Sequence, residues 1–313
     1  MHRSQLERQA EATIAEGSKS FAAAARLFPP ALRRDVILLY AWCRHCDDVT
    51  DGQQLGHGRF EAACADTVAA LKADSLAACS GEPRDTVPFR ALAEVARRHR
   101  LPVNIVADHL AGFERDVAGW RPQTLDDLLE YCYFVAGAVG ILMARIMGVH
   151  DHRTLARASD LGLAFQLTNI ARDVVEDARG GRCYLPLAWL HRQALAPEDL
   201  DQPGAREAVF PLVRELVETA EPYYASAAAG IRELPARAAW AIATARSVYR
   251  DIGRARVRAG PSGLQRRVFT GRGRKGWRVV TGGARVLGSR MPRRRAQARR
   301  GLWTPAALAG PAS

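Results

Sequence analysis

The chain has 313 residues, 48% hydrophobic and 25% charged, a mix that excludes a disordered or collagen-like polymer and suffices for a large core. Its formal charge of +12 is confined to one end: residues 261–313 hold 13 of the 45 basic side chains and none of the 33 acidic ones, leaving residues 1–260 with 32 basic against 33 acidic groups. A near-neutral body argues against nucleic acid, which needs positive charge spread along the binding surface.

Apolar residues recur three and four apart almost throughout, and the alternating Val, Ile and Thr runs of strands are missing, so the predicted class is all-α. Helices are predicted over 4–16, 20–27, 31–50, 58–75, 86–98, 103–115, 125–147, 154–177, 186–191, 207–230 and 235–258. Pro29, Pro30, Pro122, Gly180, Gly181, Pro203 and Pro235 punctuate them. These elements make one catalytic domain over 1–260, followed by a basic tail over 261–313 that is expected to be partly disordered, with one more helix over 276–287. The polar opening carries no secretory signal, and the longest uncharged apolar run, 131–144, is short for a membrane span. The six cysteines are therefore expected as reduced thiols of a cytoplasmic protein.

The helix over 31–50 runs into YAWCRHCDDVTDG, from Tyr40 to Gly52. Asp47 and Asp51 are four apart, so they share a face about 6 Å apart along the axis, with Arg44 one turn earlier. Like charges at that spacing weaken an isolated helix. Cys43 and Cys46 form a CxxC pair without the βαβ context of a redox site or the second pair of a zinc site, so they and His45 are read as packing residues.

The helix over 125–147 contains YCYFVAGAVG, from Tyr131 to Gly140. Its rings can stabilise a cation. Ala136, Gly137 and Gly140 leave room for a chain between helices, or else let two helices pack closely.

On the helix over 154–177, Gln166, Asn169, Asp173 and Asp177 fall at steps of three, four and four, a polar stripe on a helix otherwise carrying Leu163, Phe165, Leu167, Ile170 and Val174. A carboxamide and two carboxylates are hard oxygen donors that suit magnesium, which takes one or two carboxylates plus substrate phosphates. Two such stripes facing each other could hold metal around a diphosphate. The plainer reading is a pair of solvated faces with surface ion pairs such as Arg44–Asp47 and Arg172–Glu176, worth about 0.3–0.5 kcal/mol each. The apolar setting of both stripes argues against it.

YAWCRHCDDVTDG and QLTNIARDVVEDARGGRCYLP, with GSKSF (17–21) and YCYFVAGAVG in the same order, resemble the signatures of bacterial phytoene synthases in the squalene and phytoene synthase superfamily. The resemblance runs from about residue 18 to about residue 290. It implies a single-domain isoprenoid synthase bundle around a deep apolar cavity, with two aspartate-rich helices facing at its mouth. Asp47 and Asp51 would bind magnesium, or manganese in its place, on one side, and Asn169, Asp173 and Asp177 on the other. Gly17, Ser18, Lys19, Ser20, Phe21, Tyr40, Arg44, Tyr131, Ala136, Gly137, Gln166, Arg172 and Tyr249 fall at substrate-binding positions. Catalytic weight would rest on Asp47, Asp51, Asp173, Asp177, Arg44 and Tyr249. The implied reaction joins two geranylgeranyl diphosphates head to head through prephytoene diphosphate, giving phytoene and pyrophosphate. The alternative is a squalene or dehydrosqualene synthase acting on farnesyl diphosphate.

Ala22 to Ala25 are all small, and Ala25, one turn past Phe21, is expected to leave space for a twenty-carbon chain, so that Ala25→Phe would favour farnesyl diphosphate. Gly271, Gly273 and Gly276 satisfy GxGxxG without a preceding strand or a following acid, so no NADPH is expected. Two departures from the family pattern are Ala138, where many relatives carry a hydroxyl or a larger apolar residue, and the stretch after about 290, which has no counterpart. The basic tail, with Trp277 and Trp303, is expected to make peripheral contact with an anionic membrane, where each nearby Lys or Arg contributes about 1 kcal/mol.

Overall fold

A computed structural model describes residues 3–17, 22, 24–52, 63–265, 299 and 301–308, and no strand occurs among them. In chain order the helices are α1 (Arg3–Gly17), α2 (Pro30–Asp51), α3 (Ala65–Cys79), α4 (Val87–His99), α5 (Val103–Val117), α6 (Leu125–Cys132), α7 (Ala138–Ile146), α8 (His152–Arg179), α9 (Leu187–Arg192), α10 (Arg206–Gly230) and α11 (Ala236–Ala259). A π-helical turn, Tyr133–Gly137, joins α6 to α7. The expected all-α class holds.

Local chemistry explains the long helices. Proline stands at the first position of α2, where its missing N–H costs nothing, and Gly52 ends the helix in the left-handed region at φ 62°. Between them, Val36, Ile37, Leu38, Leu39 and Trp42 are buried, and the Trp42 indole donates to Ser75 Oγ at 3.0 Å. The α8 helix starts on Asp151, whose carboxylate accepts from the Thr154 amide at 2.8 Å. It packs against α7, α10, α11 and the π turn, so it is the axis of the bundle.

The structure differs from the sequence expectation in several places. The predicted helix 125–147 is continuous but widens at Tyr133–Gly137. There the backbone meets α8 directly: a Cβ on Gly162 would sit 2.7 Å from Gly137 Cα and would strike the Ala136 carbonyl. The small residues of this stretch therefore serve close packing, while Ala136 and Gly140 also line a cavity. The run Leu125–Ile146 is long and apolar enough to cross a membrane, yet 61% of it is buried inside the protein. The predicted helix 58–75 begins at Ala65 and extends to Cys79, its first residues lying outside the described ones. Of 20–27, residues 22, 24 and 25 are helical. The helix expected over 276–287 and the glycines at 271–276 lie outside the described residues.

The end of the chain does not behave as one free tail. Leu264 is buried. Arg299 donates from Nε and Nη2 to Asp160 on α8, at 3.0 and 2.7 Å to Oδ1, and the Trp303 amide donates to Tyr223 Oη at 3.3 Å. Trp303 packs on Tyr133, ring centroids 5.9 Å apart. Asp160 is fully buried and also accepts from Ser226 Oγ at 2.5 Å. The sequence reading of 261–313 as a separate tail is thus corrected at Leu264 and at 299–308, where an ion pair and an aromatic contact seat the chain on the body.

Candidate active site

Residues of α2, α5, the π turn, α7, α8, α10 and α11 enclose a cavity of about 330 Å³. One end is formed by Tyr40, Asp47, Gln166, Asn169 and Tyr249, the other by Met147, Thr154, Ile231, Leu234 and Ile242. Thr154 and Asn169 are fifteen residues apart on α8, which at 1.5 Å per residue puts these two lining residues about 22 Å apart along the helix axis. The walls between are mostly apolar: Val135, Ala136, Val139, Met143, Leu161 and Phe165.

The two acidic stripes meet at the polar end. Arg182, just past the end of α8, donates to Asp51 on α2 at 2.7 Å and so ties the two helix tips together. Arg172 Nε donates to Asp173 at 2.8 Å. Arg44 donates to Asp48 at 3.0 Å and lies 3.7 Å from Asp47. Asp47 and Asp177 are the under-compensated members. The Asp47 carboxyl is pushed up to about 7, chiefly by desolvation and then by Asp51 and Asp48, against the pull of Arg44. That desolvation is incomplete, since 47% of the side chain is accessible where Asp47 lines the cavity. Asp177 is pushed up to about 8 by burial and by Asp173, more than Arg182 and Arg172 offset.

The other predicted residues fall around this centre. Gly17, at the end of α1, approaches so closely that a Cβ there would sit 2.7 Å from Tyr40 Oη, with Arg44 beside it. Burial lifts the Tyr40 hydroxyl to about 12 and raises that of Tyr249, so both remain proton donors. Tyr249 stacks on Phe165 with ring centroids 4.2 Å apart. Asn169 Nδ2 donates to Gln166 Oε1 at 3.4 Å, and Asn169 Oδ1 is buried without a partner. Ser18, Lys19, Ser20 and Phe21 lie outside the described residues. Cys43 lines the cavity, Cys46 is buried, and all six cysteines are free thiols.

Three expectations are corrected. Tyr131 does not line the cavity: its hydroxyl is taken by Asp116, at 3.0 and 3.1 Å, and its ring is stacked between Trp120 and Tyr184. The rings in the cavity wall come instead from Tyr40, His109, Phe165 and Tyr249. Gly137 also stays out of the wall and packs on Leu163 and Ser159. Ala24 lines the cavity, while Ala25 faces the core at 1% exposure.

The sequence reading missed a second layer. Asp116 accepts from Tyr131 and from Tyr184 at 2.9 Å, and burial raises it to about 6 while Arg182 holds it down. This cluster backs the Asp51–Arg182 pair. Arg256, fully buried, donates to the carbonyls of Ala171 (3.2 Å) and Arg172, fixing α8 in the middle of its stripe, between Asn169 and Asp173. Asp116 ends an ordinary amphipathic helix and Arg256 sits among many arginines, so neither carries a readable signal. Arg182 and Tyr184 stood inside a quoted motif, where only their spacing from Asp177 hinted at a role.

Residues 14–274 match the family described as squalene/phytoene synthase. This chain belongs to the squalene/phytoene synthase family. Among its relatives in that family is a phytoene synthase of Pseudescherichia vulneris, 52% identical over 266 residues, which cover 84% of this chain and 86% of that one. A 15-cis-phytoene synthase of Enterobacter agglomerans is 51% identical over 285 residues, covering 88% of this chain and 95% of the relative. The family fold is seen in the crystal structure of a dehydrosqualene synthase in complex with ligand, with a TM-score of 0.76, 26% identity, and coverage of 91% of this chain and 98% of that one.

Proposed function

We propose that this chain is a 15-cis-phytoene synthase, condensing two geranylgeranyl diphosphates head to head through prephytoene diphosphate with release of pyrophosphate. The observation that carries this reading is the polar end of the cavity: two acidic stripes from distant parts of the sequence meet there, at the head of an apolar wall that follows α8 for about 22 Å. Relatives at about half identity carry the name phytoene synthase, which favours this product over squalene or dehydrosqualene.

The diphosphate head group belongs at the acidic end, where Arg44, Arg172 and Arg182 are the guanidinium groups that would pair with its oxygens. The hydroxyls of Tyr40 and Tyr249, kept protonated by burial, donate to phosphate oxygens. Ionisation leaves an allylic cation, and the stacked Phe165 and Tyr249 rings present π faces to it. Apolar walls keep water from quenching it. The closing step is loss of a proton, so the reaction consumes no hydride and needs no NADPH.

Magnesium, or manganese, fits the donor set. Asn169 Oδ1 is an orphaned buried oxygen on the same stripe as Asp173 and Asp177, and the carboxyls of Asp47 and Asp177 are crowded enough to hold protons without a cation. Asp47, Asp51, Asn169, Asp173 and Asp177 are the residues that would hold it. Among the described residues no group of three His, Cys, Asp or Glu side chains is arranged to hold a metal ion by itself, so magnesium here would need substrate phosphate and water to complete its shell. When bound, the metal supplies charge neutralisation of the leaving pyrophosphate.

We also propose that the protein is cytoplasmic and in peripheral contact with anionic membrane through the basic residues of 261–313 other than Arg299, which is held by Asp160; its product is an insoluble hydrocarbon. Flotation with anionic liposomes should be lost on neutralising the arginines of 266–295, and equal flotation would sink this part of the reading.

The deciding experiment is a product assay with magnesium and detergent, offering geranylgeranyl or farnesyl diphosphate, with and without NADPH. Forty-carbon phytoene that needs metal and no NADPH is expected. Thirty-carbon product from farnesyl diphosphate alone would return the reading to the squalene side of the family.

A further inference from the structure

Asp160 has no part in the chemistry of the acidic end, yet it is a carboxylate without exposed surface on a helix that lines the cavity. Burying a charge is costly, and a buried ion pair adds little stability over apolar packing; what such a pair secures is one arrangement of the elements it joins. Arg299 grips both carboxylate oxygens, with Nε 3.0 and 2.8 Å from Oδ1 and Oδ2 and Nη2 2.7 Å from Oδ1. The same guanidinium donates from Nη2 to the Trp303 carbonyl at 2.5 Å and from Nη1 to Thr304 Oγ1 at 2.6 Å, which closes the chain into a loop beside α8. The loop holds two further elements. The Trp303 amide donates to Tyr223 Oη on α10, one turn before Ser226, which itself donates to Asp160. The Trp303 ring packs on Tyr133, the first residue of the π turn, whose hydroxyl donates to Asp108 on α5.

All three elements enter the cavity wall within one to three residues of these contacts: Leu161 and Gly162 on α8, Ala227 on α10, and Val135 and Ala136 in the π turn. Asp160 stands nine residues before Asn169, about 13.5 Å along the axis from the acidic end. The loop therefore backs the level of the cavity where a bound prenyl diphosphate keeps its tail, away from its head group. Resting on the phytoene-forming reading, we infer that Arg299 and Trp303 are positioning residues for substrate length: they clasp α8, α10 and the π turn together and so hold the apolar wall against the far part of a twenty-carbon chain. Neither residue lines the cavity, so they act through the wall and not on the substrate. A fifteen-carbon chain leaves more of that depth unused, so a loosened wall costs the longer substrate more contacts than the shorter one. The clasp also gives Trp303 a place in the fold: its ring is spent on Tyr133 and the core beneath it.

The test compares the affinities of the full-length protein for the thiolodiphosphate analogues of geranylgeranyl and farnesyl diphosphate, which ionise too slowly to react, by calorimetry with magnesium. Thermal melts and product assays on the two diphosphates accompany it. Trp303→Ala leaves the ion pair in place. It should weaken the twenty-carbon analogue about fivefold to tenfold and the fifteen-carbon analogue by less than about twofold, the scale of a few lost methylene contacts. Trp303→Phe keeps a ring on Tyr133 and should restore the wild-type ratio. Arg299→Ala alone strands a buried carboxylate and endangers folding. The double change Asp160→Asn with Arg299→Gln removes both charges together and should move the ratio in the same direction as Trp303→Ala. An equal weakening of both analogues in folded Trp303→Ala marks general packing and overturns the inference, as does a ratio that stays at the wild-type value in both Trp303→Ala and the double variant. A wild type that makes no forty-carbon hydrocarbon overturns the functional reading and the inference with it, whereas wild-type phytoene with an unmoved ratio overturns the clasp alone.

Discussion

Asp35 and Asp47 lie about three turns apart on α2, and the protein treats them in opposite ways. Asp35, 4% exposed, is surrounded by donors: it accepts from Arg98, from His99 Nε2 at 2.8 Å and from Arg34 Nε at 3.3 Å. Each of its oxygens is satisfied, and the cluster pins α2 to α4. Asp47 faces a cavity with Asp51 and Asp48 as neighbours and one guanidinium 3.7 Å away. The first arrangement is complete without a ligand and the second is short of positive charge. Asp35 is buried and Asp47 is about half accessible, and the imbalance of charge at the cavity is what separates a structural acid from one waiting for a cation.

The largest effect expected from this contrast is on catalysis. Asp47→Asn or Asp177→Asn should cut phytoene formation by about 10³-fold, the scale of losing an aimed electrostatic stabiliser. Their thermal midpoints should hold or rise, since a crowded negative charge is removed. A fall in both together would break the comparison. Next, Asp35→Ala removes the acceptor shared by three partly exposed donors and should cost about 1–3 kcal/mol in urea unfolding, with kcat of the folded fraction within about twofold. If kcat falls instead, Asp35 belongs to the site.

A region where neither charge matters sharpens the contrast. Gly162→Ala forces a methyl against the π-turn backbone and should cost about 1–3 kcal/mol. A neutral result would show that the two backbones separate easily. Within the same wall, Ala24→Phe should shift use from geranylgeranyl toward farnesyl diphosphate severalfold, while Ala25→Phe should chiefly destabilise the core. Competition assays with both substrates read the difference.

The smallest expected effect is the pH dependence of stability without metal. Asp47 and Asp177 move from an ordinary 3.8 to about 7 and about 8, so the folded state holds protons that the unfolded chain releases. Their contribution to stability is therefore full below about pH 4 and is lost as pH rises to about 8. Solvent in the cavity screens part of it. Urea melts in EDTA at pH 5 and 8.5 should show the loss, and magnesium should restore more at the higher pH. Stability that rises with pH would invert the assignment of Asp47 and Asp177.

Much of this was legible in the sequence because it is written in spacing. Steps of three and four gave the helices, and the same steps placed Gln166, Asn169, Asp173 and Asp177 on one line. What could not be read lacks a local signature. The π turn uses the same apolar residues as the helix around it, and only Gly162, some twenty-five residues later, makes it necessary. Tyr131 looked like a cavity ring until Asp116 claimed its hydroxyl. Arg256 and Arg299 are singled out by their partners, the carbonyls of Ala171 and Arg172 and the carboxylate of Asp160, not by their neighbours in the chain.

Arg299 also sets the order of biosynthetic events. Asp160 sits at the centre of α8 with no exposed surface, and its guanidinium partner follows 139 residues later. At about 5–20 residues per second, a ribosome needs on the order of ten seconds to make that stretch. Until then Asp160 lacks this counterion, so its site on α8 is completed only once Arg299 has been made. A chain truncated before Arg299 would leave that buried carboxylate without its guanidinium partner.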